Sequence, residues 1–436
     1  MIARLAHGRF HYAWIVVGVT FLVMLLTAGI RSVPGVLILP LEGEFGWTRA
    51  TVSLAVSINL VLYGLCGPFA AALMEKIGMR RMMATALFLL TGAILLTTQI
   101  TVPWQLYLLW GAVVGLGTGA MAGWIAATVS NRWFVARRGV VVGLLTASNA
   151  TGQLVFVPLL ASLVATQGWR SAVLLVAGVA LLLVPLAVIF IRNFPRDVGL
   201  RPYGATERDE DPRPRPHAGN PFTGALQTLA RSLRSRDFLL LAGSFFICGL
   251  TTSGLVGTHL IPFARECGLS EVTAASLLAV IGVFDVLGTM ASGWLSDRYD
   301  SRWLLFWYYG LRGLSLMFLP VAYEFGFYGL MLFVVFYGLD WVATVPPTVR
   351  LTADIFGKAN VGTVYAWIFA SHQLGSAAAA YGAGLLRTWL GDYQASFIIA
   401  GLFGLLAAVM VLRIGRETPR DLLPVRQPEL PATPAN

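Results

Sequence analysis

The chain contains twelve runs of about twenty or more mainly apolar residues, and these runs constrain its fold more than any other feature. A helix of about twenty residues crosses the roughly 30 Å hydrocarbon core of a bilayer. Inside a bilayer every backbone polar group must find a partner within its own segment, so each run is predicted to be a membrane-spanning helix. The runs lie at residues 12–39, 50–72, 80–101, 104–131, 138–164, 170–192, 237–264, 272–296, 302–322, 326–350, 361–386 and 394–414.

Composition agrees with a membrane protein and excludes several other classes. Only 12% of the 436 residues are charged, whereas soluble domains average about 25%. The three cysteines are scattered, which predicts neither a disulfide framework nor a metal site. No nucleotide loop or nucleophile constellation is present, so we expect no enzyme activity and no cofactor. In a membrane protein the net charge of +10 is explained by basic cytoplasmic loops. No basic face remains once the helices are set aside, which argues against nucleic-acid binding.

The distribution of basic residues predicts the orientation of the helices. Of the 31 Lys and Arg residues, two lie inside predicted helices and four lie in one set of alternate loops: Arg49, Arg170, Arg265 and Arg387. The remaining 25 lie in the other set of loops and at the termini. Because basic residues are enriched in cytoplasmic loops, both termini and the central loop are predicted to be cytoplasmic. The expected location is the inner (plasma) membrane.

The two halves of the chain resemble each other at a constant offset of 222 residues. The matching pairs include Gly35 with Gly257, Pro40 with Pro262, Glu44 with Glu266, Gly46 with Gly268, Leu73 with Leu295, Arg80 with Arg302 and Phe134 with Phe356. The predicted organisation is a six-helix bundle (1–192), a cytoplasmic linker (193–236) with a short amphipathic helix at 221–236, a second bundle (237–416) and a disordered tail (417–436). Parallel repeats of this kind are typical of transporters, which bind substrate between the halves.

A motif in the repeated loops carries a family resemblance. It reads Ala71-Ala72-Leu73-Met74-Glu75-Lys76-Ile77-Gly78-Met79-Arg80-Arg81 after the second predicted helix and Gly293-Trp294-Leu295-Ser296-Asp297-Arg298-Tyr299-Asp300-Ser301-Arg302 after the eighth. Both resemble the signature Gly-x-Leu-x-Asp-Arg-x-Gly-Arg-Arg of the major facilitator superfamily, with departures at Ala71, Glu75 and Asp300. The resemblance implies an all-α membrane fold of twelve helices in two pseudo-symmetric six-helix bundles.

The same resemblance implies a cytoplasmic gate in which carboxylates and bases bridge neighbouring helix ends. Its members would be Glu75, Lys76, Arg80, Arg81, Asp297, Arg298 and Arg302. The alternative is that the basic residues only anchor the topology.

Further motifs resemble the branch of monocarboxylate transporters and oxalate–formate antiporters. They are Tyr63-Gly64-x-x-Gly67-Pro68, Asn131-Arg132-Trp133-Phe134, Arg137-Arg138-Gly139 and Gly391-Asp392-Tyr393. By this resemblance, Arg31 is the basic residue of the first helix and Asp285 the acidic residue of the eighth. Thr289 stands where the animal members carry the arginine that binds the carboxylate, which argues against simple monocarboxylates such as lactate.

Charged residues inside predicted helices identify a candidate site. A charge at the bilayer centre costs about 2.5–3.5 kcal/mol on insertion scales, so each suggests a function. The four are Arg31, Asp285, Arg312 and Asp340. The last three lie about 15–18 Å from the basic loops at 1.5 Å per residue, near the midplane. Their repeat partners, Tyr63, Leu90 and Thr118, are uncharged.

The hypotheses for these residues each have a structural alternative. Arg31, Asn149, Gln153, Asp285, Thr289 and His372 are predicted to contact substrate, and Asp285 and His372 to carry protons. Arg31 could instead extend to the interface, Asp285 could pair with Arg312, and the polar side chains could join helices. Arg312 and Asp340, at equal depth on successive helices, are predicted to form a buried ion pair.

The function predicted from these features is proton-coupled transport of a small organic anion by alternating access. The expected partners are the substrate, protons and the lipid bilayer, in a monomer. One alternative is export of a drug-like or amphipathic compound, favoured by aromatic residues (Trp124, Trp341, Tyr365 and Trp367). A second alternative is a membrane sensor without transport.

Overall fold

A computed structural model describes residues 11–206, 221–357 and 361–415, and within these ranges twelve helices are arranged as membrane spans. They are α1 (Tyr12–Phe45), α2 (Arg49–Ile77), α3 (Met79–Thr97), α4 (Pro103–Leu106, Tyr107–Val114, Gly115–Gly119 and Trp124–Trp133), α5 (Arg138–Gln167), α6 (Trp169–Phe190), α7 (Arg236–Gly249, Leu250–Val256 and Gly257–Glu266), α8 (Glu271–Ser296), α9 (Ser301–Ala322), α10 (Gly326–Asp340 and Val345–Phe356), α11 (Val361–Leu390) and α12 (Gln394–Val411). The middle segments of α4 (Tyr107–Val114) and α7 (Leu250–Val256) are π-helical.

Eleven of the described helices are long and apolar enough to cross a membrane, and α11 is the exception. It has 30 residues, but Ser371, His372 and Gln373 lie in its middle and lower its hydropathy. Because α11 packs between α2 and α7, these polar side chains lie against protein rather than lipid. A polar segment in such a place is expected at a functional site.

Glycines with positive φ end helices at matching positions of the two halves. Gly46 and Gly268 follow α1 and α7, and Gly168 and Gly391 follow α5 and α11. A residue with a side chain rarely adopts this conformation, so glycine gives the tight turn that makes neighbouring helices antiparallel.

Each half buries its helices against its own neighbours. In the first half α1 packs on α5 and α3 on α6, and in the second α7 packs on α11 and α9 on α12. The halves meet along α2 and α11, α5 and α8, and α1 and α7. Helices α3, α6, α9 and α12 lie at the periphery and expose apolar side chains such as Phe88, Leu182, Trp307 and Leu402, which suits contact with lipid.

Gly35 of α1 and Gly257 of α7, partners in the repeat, face each other where the halves meet. A Cβ atom on Gly35 would lie 3.4 Å from the carbonyl oxygen of Gly257. The close approach of α1 and α7 therefore uses equivalent glycines from the two halves.

The first part of the predicted linker packs against the first half of the chain. The Tyr203 amide donates to the Trp133 carbonyl at 2.8 Å, and the Val135 amide donates to the Tyr203 carbonyl at 2.9 Å. The aromatic ring of Tyr203 also packs on Phe134 and Trp14. These contacts bury apolar surface that a solvated chain would expose.

A short helix, Pro221–Ser232, here called the linker helix, lies within the predicted amphipathic segment. Trp367 Nε1 of α11 donates to the Ala225 carbonyl at 3.0 Å, and Phe222 stacks on Phe69 of α2. The linker helix therefore contacts both halves. The Pro- and Arg-rich stretch 207–220 and the predicted disordered tail lie outside the described residues.

Candidate functional site

Helix α10 is interrupted after Asp340, and Arg312 of α9 binds the interrupted segment. Its Nε lies 2.6 Å from Asp340 Oδ2, and its Nη2 donates to the carbonyls of Asp340 and Trp341. Its Nη1 lies 3.0 Å from Cys248 Sγ of α7. Carbonyls at a helix end lack intrahelical donors, and the fully buried guanidinium supplies them. Arg312 and Asp340, which were predicted to pair, thus form an ion pair in the structure, and this pair lies at the interruption of α10.

Asp285 of α8 lies at the same interruption. Its Oδ1 accepts hydrogen bonds from the Val342 amide at 2.9 Å and from Thr289 Oγ1 at 3.0 Å. No ion pair of Asp285 occurs among the described residues. The alternative in which Asp285 pairs with Arg312 is therefore not the arrangement in this structure.

Arg31 of α1 lies against Tyr63 of α2. Arg31 Nη1 donates to Tyr63 Oη at 3.2 Å, and its guanidinium carbon lies 4.2 Å from the centroid of the Tyr63 ring. Arg31 Nε is buried and has no hydrogen-bond partner among the described residues. Nor does any described carboxylate form an ion pair with Arg31. Arg31 as a whole is half-buried. A cation that is partly removed from water without a counter-ion is unfavourable, and an anionic ligand would relieve that cost.

His372, in the polar middle of α11, lies between two phenylalanine rings. Its ring centroid is 4.9 Å from that of Phe245 and 5.8 Å from that of Phe369, whose plane is nearly parallel. Gln373 Nε2 lies 3.3 Å from His372 Nδ1. Gln373 is 1% exposed, and its Oε1 has no hydrogen-bond partner in the described part of the chain.

Arg31 and the polar middle of α11 are connected through Tyr63. The Tyr63 ring lies 6.2 Å from that of Phe369, and a Cβ atom on the adjacent Gly64 would collide with Gln373. We call this group of six residues the ring cluster: Arg31, Tyr63, Phe245, Phe369, His372 and Gln373. It joins α1 and α2 of the first half to α7 and α11 of the second, and it offers one cation, several ring faces and an unpaired amide oxygen.

Asn149 and Gln153 lie one turn apart on α5, the helix that packs on α8. Both side chains are half-buried, and neither has a hydrogen-bond partner among the described residues. No hydrogen bond among the described residues joins either of them to the ring cluster. They are free to bind a ligand or water, as the sequence hypothesis requires.

A second polar group joins the halves at the end of the bundle opposite the basic loops. Arg49 of α2 is buried, with Nε 2.5 Å from Glu42 and Nη1 3.4 Å from Glu266 of α7. Glu266 also accepts from Arg387 Nε of α11 at 2.8 Å. Arg49 Nη1 donates to Tyr393 Oη at 2.6 Å.

The Tyr393 hydroxyl continues this group into the second half. It lies 3.0 Å from His259 Nδ1, and His259 Nε2 lies 2.8 Å from the Ala380 carbonyl. We call the six side chains the opposite-end network: Glu42, Arg49, His259, Glu266, Arg387 and Tyr393. Sequence reasoning missed it, although a signal existed. Basic residues are rare in these loops, and Arg49, Arg170 and Arg387 all have carboxylate partners.

At the basic end, the described gate residues bind partners in their own half. Arg350 Nη1 lies 3.3 Å from Asp297 Oδ1, and Arg298 lies over the Trp294 ring. The Arg80 amide donates to Asn193 Oδ1 at 3.2 Å. Lys76 and Arg81 are exposed, and the Glu75 side chain lies outside the described ones. The gate role of these residues stays a prediction.

Asp300 explains one departure from the repeated motif. Its carboxylate accepts from the Arg302 amide at 2.9 Å, which caps the start of α9, and from the Arg302 guanidinium. The hydrogen bond from Arg302 holds the pKa of Asp300 below its ordinary value. Asp300 therefore performs a capping role that glycine, its usual counterpart, cannot provide through a side chain.

An apolar groove of about 530 Å³ lies between α1, α5 and α6, away from all these polar groups. It is lined by Ile15, Val17, Gly18, Val19, Phe21, Leu22, Leu144, Leu186 and Phe190. Its side chains offer no hydrogen bond, so it is not a site for an anion.

Comparisons with known proteins agree with this architecture. The model of the Major Facilitator Superfamily matches residues 20–339 and 241–435. Monocarboxylate transporter 13 of Rattus norvegicus is 29% identical over 409 residues, covering 92% of this chain and 88% of the relative. The uncharacterized MFS-type transporter YcxA of Bacillus subtilis is 23% identical, covering 92% of this chain and 94% of the relative. The structure of a D-xylose-proton symporter has a TM-score of 0.71 at 17% sequence identity, and the match covers 93% of this chain and 98% of the symporter chain.

Proposed function

Since the chain belongs to the Major Facilitator Superfamily and is a multi-pass membrane transporter, we propose that it carries a small organic anion by alternating access, coupled to protons. The observation that carries the proposal is the unpaired Arg31. Arg312 and Arg49, which are buried, each bind a carboxylate. Arg31 has only the Tyr63 hydroxyl and ring, so the anion it lacks would be the substrate.

Asp285 is the proposed proton carrier. As a carboxylate it accepts the Val342 amide at the α10 interruption. Protonation removes its charge and gives it a donor, which changes the contact between α8 and α10. Asp285 lies at the same α10 interruption as the ion pair of Arg312 and Asp340, so protonation of Asp285 also alters the field around that ion pair. His372, in contact with the ring cluster, is the second candidate for proton binding.

The opposite-end network supports alternating access. Among the described residues, the ion pair that crosses between the halves, Arg49 with Glu266, lies at this end. The described ion pairs of the basic end join residues of one half. We propose that the network closes the non-cytoplasmic end, and that its separation opens the site to that side.

Transport in proteoliposomes tests the anion and proton parts of the proposal. With the outside made acidic, the purified chain should take up radiolabelled organic carboxylates but not the uncharged sugar xylose. Arg31→Gln should abolish uptake, whereas Asp285→Asn should abolish only its dependence on the gradient and keep substrate exchange. Uptake that ignores the gradient, unchanged in Asp285→Asn, would remove the proton claim; uptake of xylose alone would remove the anion claim.

The proposed closure has its own test at Ser53, which is fully buried beside Gly384 of α11. A cysteine introduced by Ser53→Cys should react slowly with a maleimide, and adding Arg49→Gln should raise its rate at least severalfold. Arg265→Gln is the matched control, because in the described part of the chain Arg265 donates a hydrogen bond to the Leu269 carbonyl of its own half and to no residue of the other half. Equal rates in both double variants would contradict the closure.

Export of a drug-like compound gains no specific support. Trp341 and Trp367, two of the aromatic residues that favoured it, are buried in protein contacts. Trp367 also donates to the linker helix.

A further inference from the structure

We propose that the anion is an aromatic carboxylate bearing a hydrogen-bond donor next to the carboxylate, held by the ring cluster; this inference rests on the proposed function and narrows its substrate class. The 2-hydroxy acid 3-phenyllactate is a compound of this kind. Three features of the cluster specify the carboxylate, the ring and the donor of the ligand.

The carboxylate is specified by Arg31. A guanidinium presents five N–H donors in a planar fork, and carboxylates bind two of them side by side. Nη1 is engaged with Tyr63 Oη, and Nε is buried without a partner. The unused edge of the guanidinium, formed by Nε and Nη2, therefore fits the two oxygens of a carboxylate.

The aromatic body is specified by the rings next to Arg31. Successive centroids lie 6.2 Å apart from Tyr63 to Phe369, 5.8 Å from Phe369 to His372 and 4.9 Å from His372 to Phe245. These spacings are those of stacked and edge-to-face ring pairs. Phe369 and His372 are only half-buried, so their ring surfaces are available to a ligand. A further ring should bind there about 2–10 times more tightly than a saturated ring of similar size.

The donor is specified by Gln373. Its Nε2 is engaged with His372 Nδ1, and its Oε1 is left as a buried acceptor without a partner. Leaving such a group unpaired is unfavourable. A hydroxyl on the carbon next to the ligand carboxylate would donate to it.

Binding to the purified full-length chain in detergent, without any gradient, tests this proposal. The probes are 3-phenyllactate, 3-phenylpropionate without the hydroxyl, 3-cyclohexyllactate without the aromatic ring, and 3-phenyl-1,2-propanediol without the carboxylate. Calorimetry should place 3-phenyllactate first. Loss of the ring or of the hydroxyl should each weaken binding severalfold, and loss of the carboxylate should weaken it at least tenfold.

Variants assign each preference to its residue. Gln373→Leu should make 3-phenyllactate and 3-phenylpropionate bind equally, while leaving 3-phenylpropionate unaffected. Phe369→Leu should remove the preference for phenyl over cyclohexyl, and Arg31→Gln the preference for the carboxylate over the diol. Arg31→Lys, which keeps the charge, replaces Arg31→Gln if the latter fails to elute as a folded monodisperse protein.

The outcomes separate this inference from the proposed function. If lactate or 3-cyclohexyllactate binds as tightly as 3-phenyllactate, the aromatic claim is overturned while the anion proposal stands. If 3-phenylpropionate equals 3-phenyllactate in the unmutated chain, the donor claim is overturned. If the diol binds and no carboxylate does, both this inference and the anion proposal fail.

Discussion

Helix α4 of the first half and helix α10 of the second are interrupted at equivalent positions, between Gly119 and Trp124 and between Asp340 and Val345. In α4 the interruption is held by uncharged groups: the Ala122 amide donates to the Gly119 carbonyl, and Trp124 Nε1 donates to the same oxygen. In α10 it is held by the charged groups of Arg312, Asp340 and Asp285.

The glycine at the neighbouring contact also changes sides between the halves. Gly119 is on the interrupted helix α4, and a Cβ atom there would lie 2.8 Å from the Tyr63 carbonyl of α2. In the second half Gly288 is on α8, where a Cβ atom would collide with the Leu339 carbonyl of α10. Asp285 occupies the repeat position of Tyr63. The same helix interruption is thus held by neutral packing in α4 and by charged side chains in α10. Of the two, only the interruption of α10 can respond to protonation.

The largest expected effect on stability comes from breaking the ion pair of Arg312 and Asp340 at the α10 interruption. Asp340→Leu or Arg312→Leu alone leaves a buried unpaired charge and should destabilise the protein by about 3–5 kcal/mol. The double variant Arg312→Leu/Asp340→Leu should be markedly more stable than either single variant. The measurement is thermal unfolding in detergent, with Thr118→Val, at the repeat position of Asp340, as the control. Equal destabilisation in the single and double variants would mean that charge pairing is not what holds the α10 interruption.

The next effect concerns the glycines of the two contacts. Gly119→Ala and Gly288→Ala each insert a methyl group against backbone, and overpacking of this kind costs about 1–3 kcal/mol. Gly288→Ala should cost more, because its Cβ would meet the carbonyl of Leu339 more closely. Gly92→Ala on α3 is the matched control, since no atom lies within 4 Å of its Cβ. If Gly92→Ala lowers the unfolding temperature as much as the other two substitutions do, the close packing at Gly119 and Gly288 would be contradicted.

Substitutions of Asp285 distinguish its role as a hydrogen-bond acceptor from the role of its charge. Asp285→Ala leaves the Val342 amide without its acceptor and should cost about 1–3 kcal/mol. Asp285→Asn keeps an oxygen acceptor and should unfold close to the unmutated temperature. Tyr63→Phe, at the repeat position, removes only a hydroxyl that binds Arg31 and should change stability least. If Asp285→Asn is as unstable as Asp285→Ala, the charge itself is required for the fold.

The smallest effect lies in the loops that follow α2 and α8. Gly78 ends α2 with a φ of 85°, whereas its repeat partner Asp300 caps α9 and binds Arg302. Because the folded-state pKa of Asp300 is lowered, its contribution is present above the ordinary value of 3.8 and is lost as the pH falls below that value. The pair is partly exposed, so Asp300→Asn should cost less than about 1 kcal/mol near neutral pH. This difference should vanish in unfolding measurements at acidic pH; a difference that persists there would assign it to another cause.

Much of the fold could be predicted from the sequence. The family, the twelve-helix fold and its resemblance to monocarboxylate transporters are confirmed. Equal depth on successive helices also anticipated the contact of Arg312 with Asp340. The interruption of α10 was not anticipated, because the donor for its free carbonyls comes from Arg312 of α9 and the acceptor for its free Val342 amide comes from Asp285 of α8.

Sequence reasoning was weakest for polar side chains whose role depends on partners from other helices. Tyr63 was considered as a motif residue and as the uncharged repeat partner of Asp285, yet in the structure it binds Arg31. Gln373 lies beside His372 but was overlooked, because its importance depends on an oxygen that packing leaves unpaired. His259 and Tyr393 belong to the opposite-end network only because α7 and the turn before α12 meet in space.

The sequence by itself determined that this protein lies in a membrane as two repeated six-helix halves, because apolar length, loop charge and a constant repeat are local properties of the chain. Only the tertiary structure decided what each buried charge does. The partners of a charged side chain inside a membrane protein come from other helices. Which helices lie next to each other is set by packing across the whole fold. Arg312 binds carbonyls and a carboxylate, Arg49 binds two glutamates, and Arg31 binds no carboxylate among the described residues.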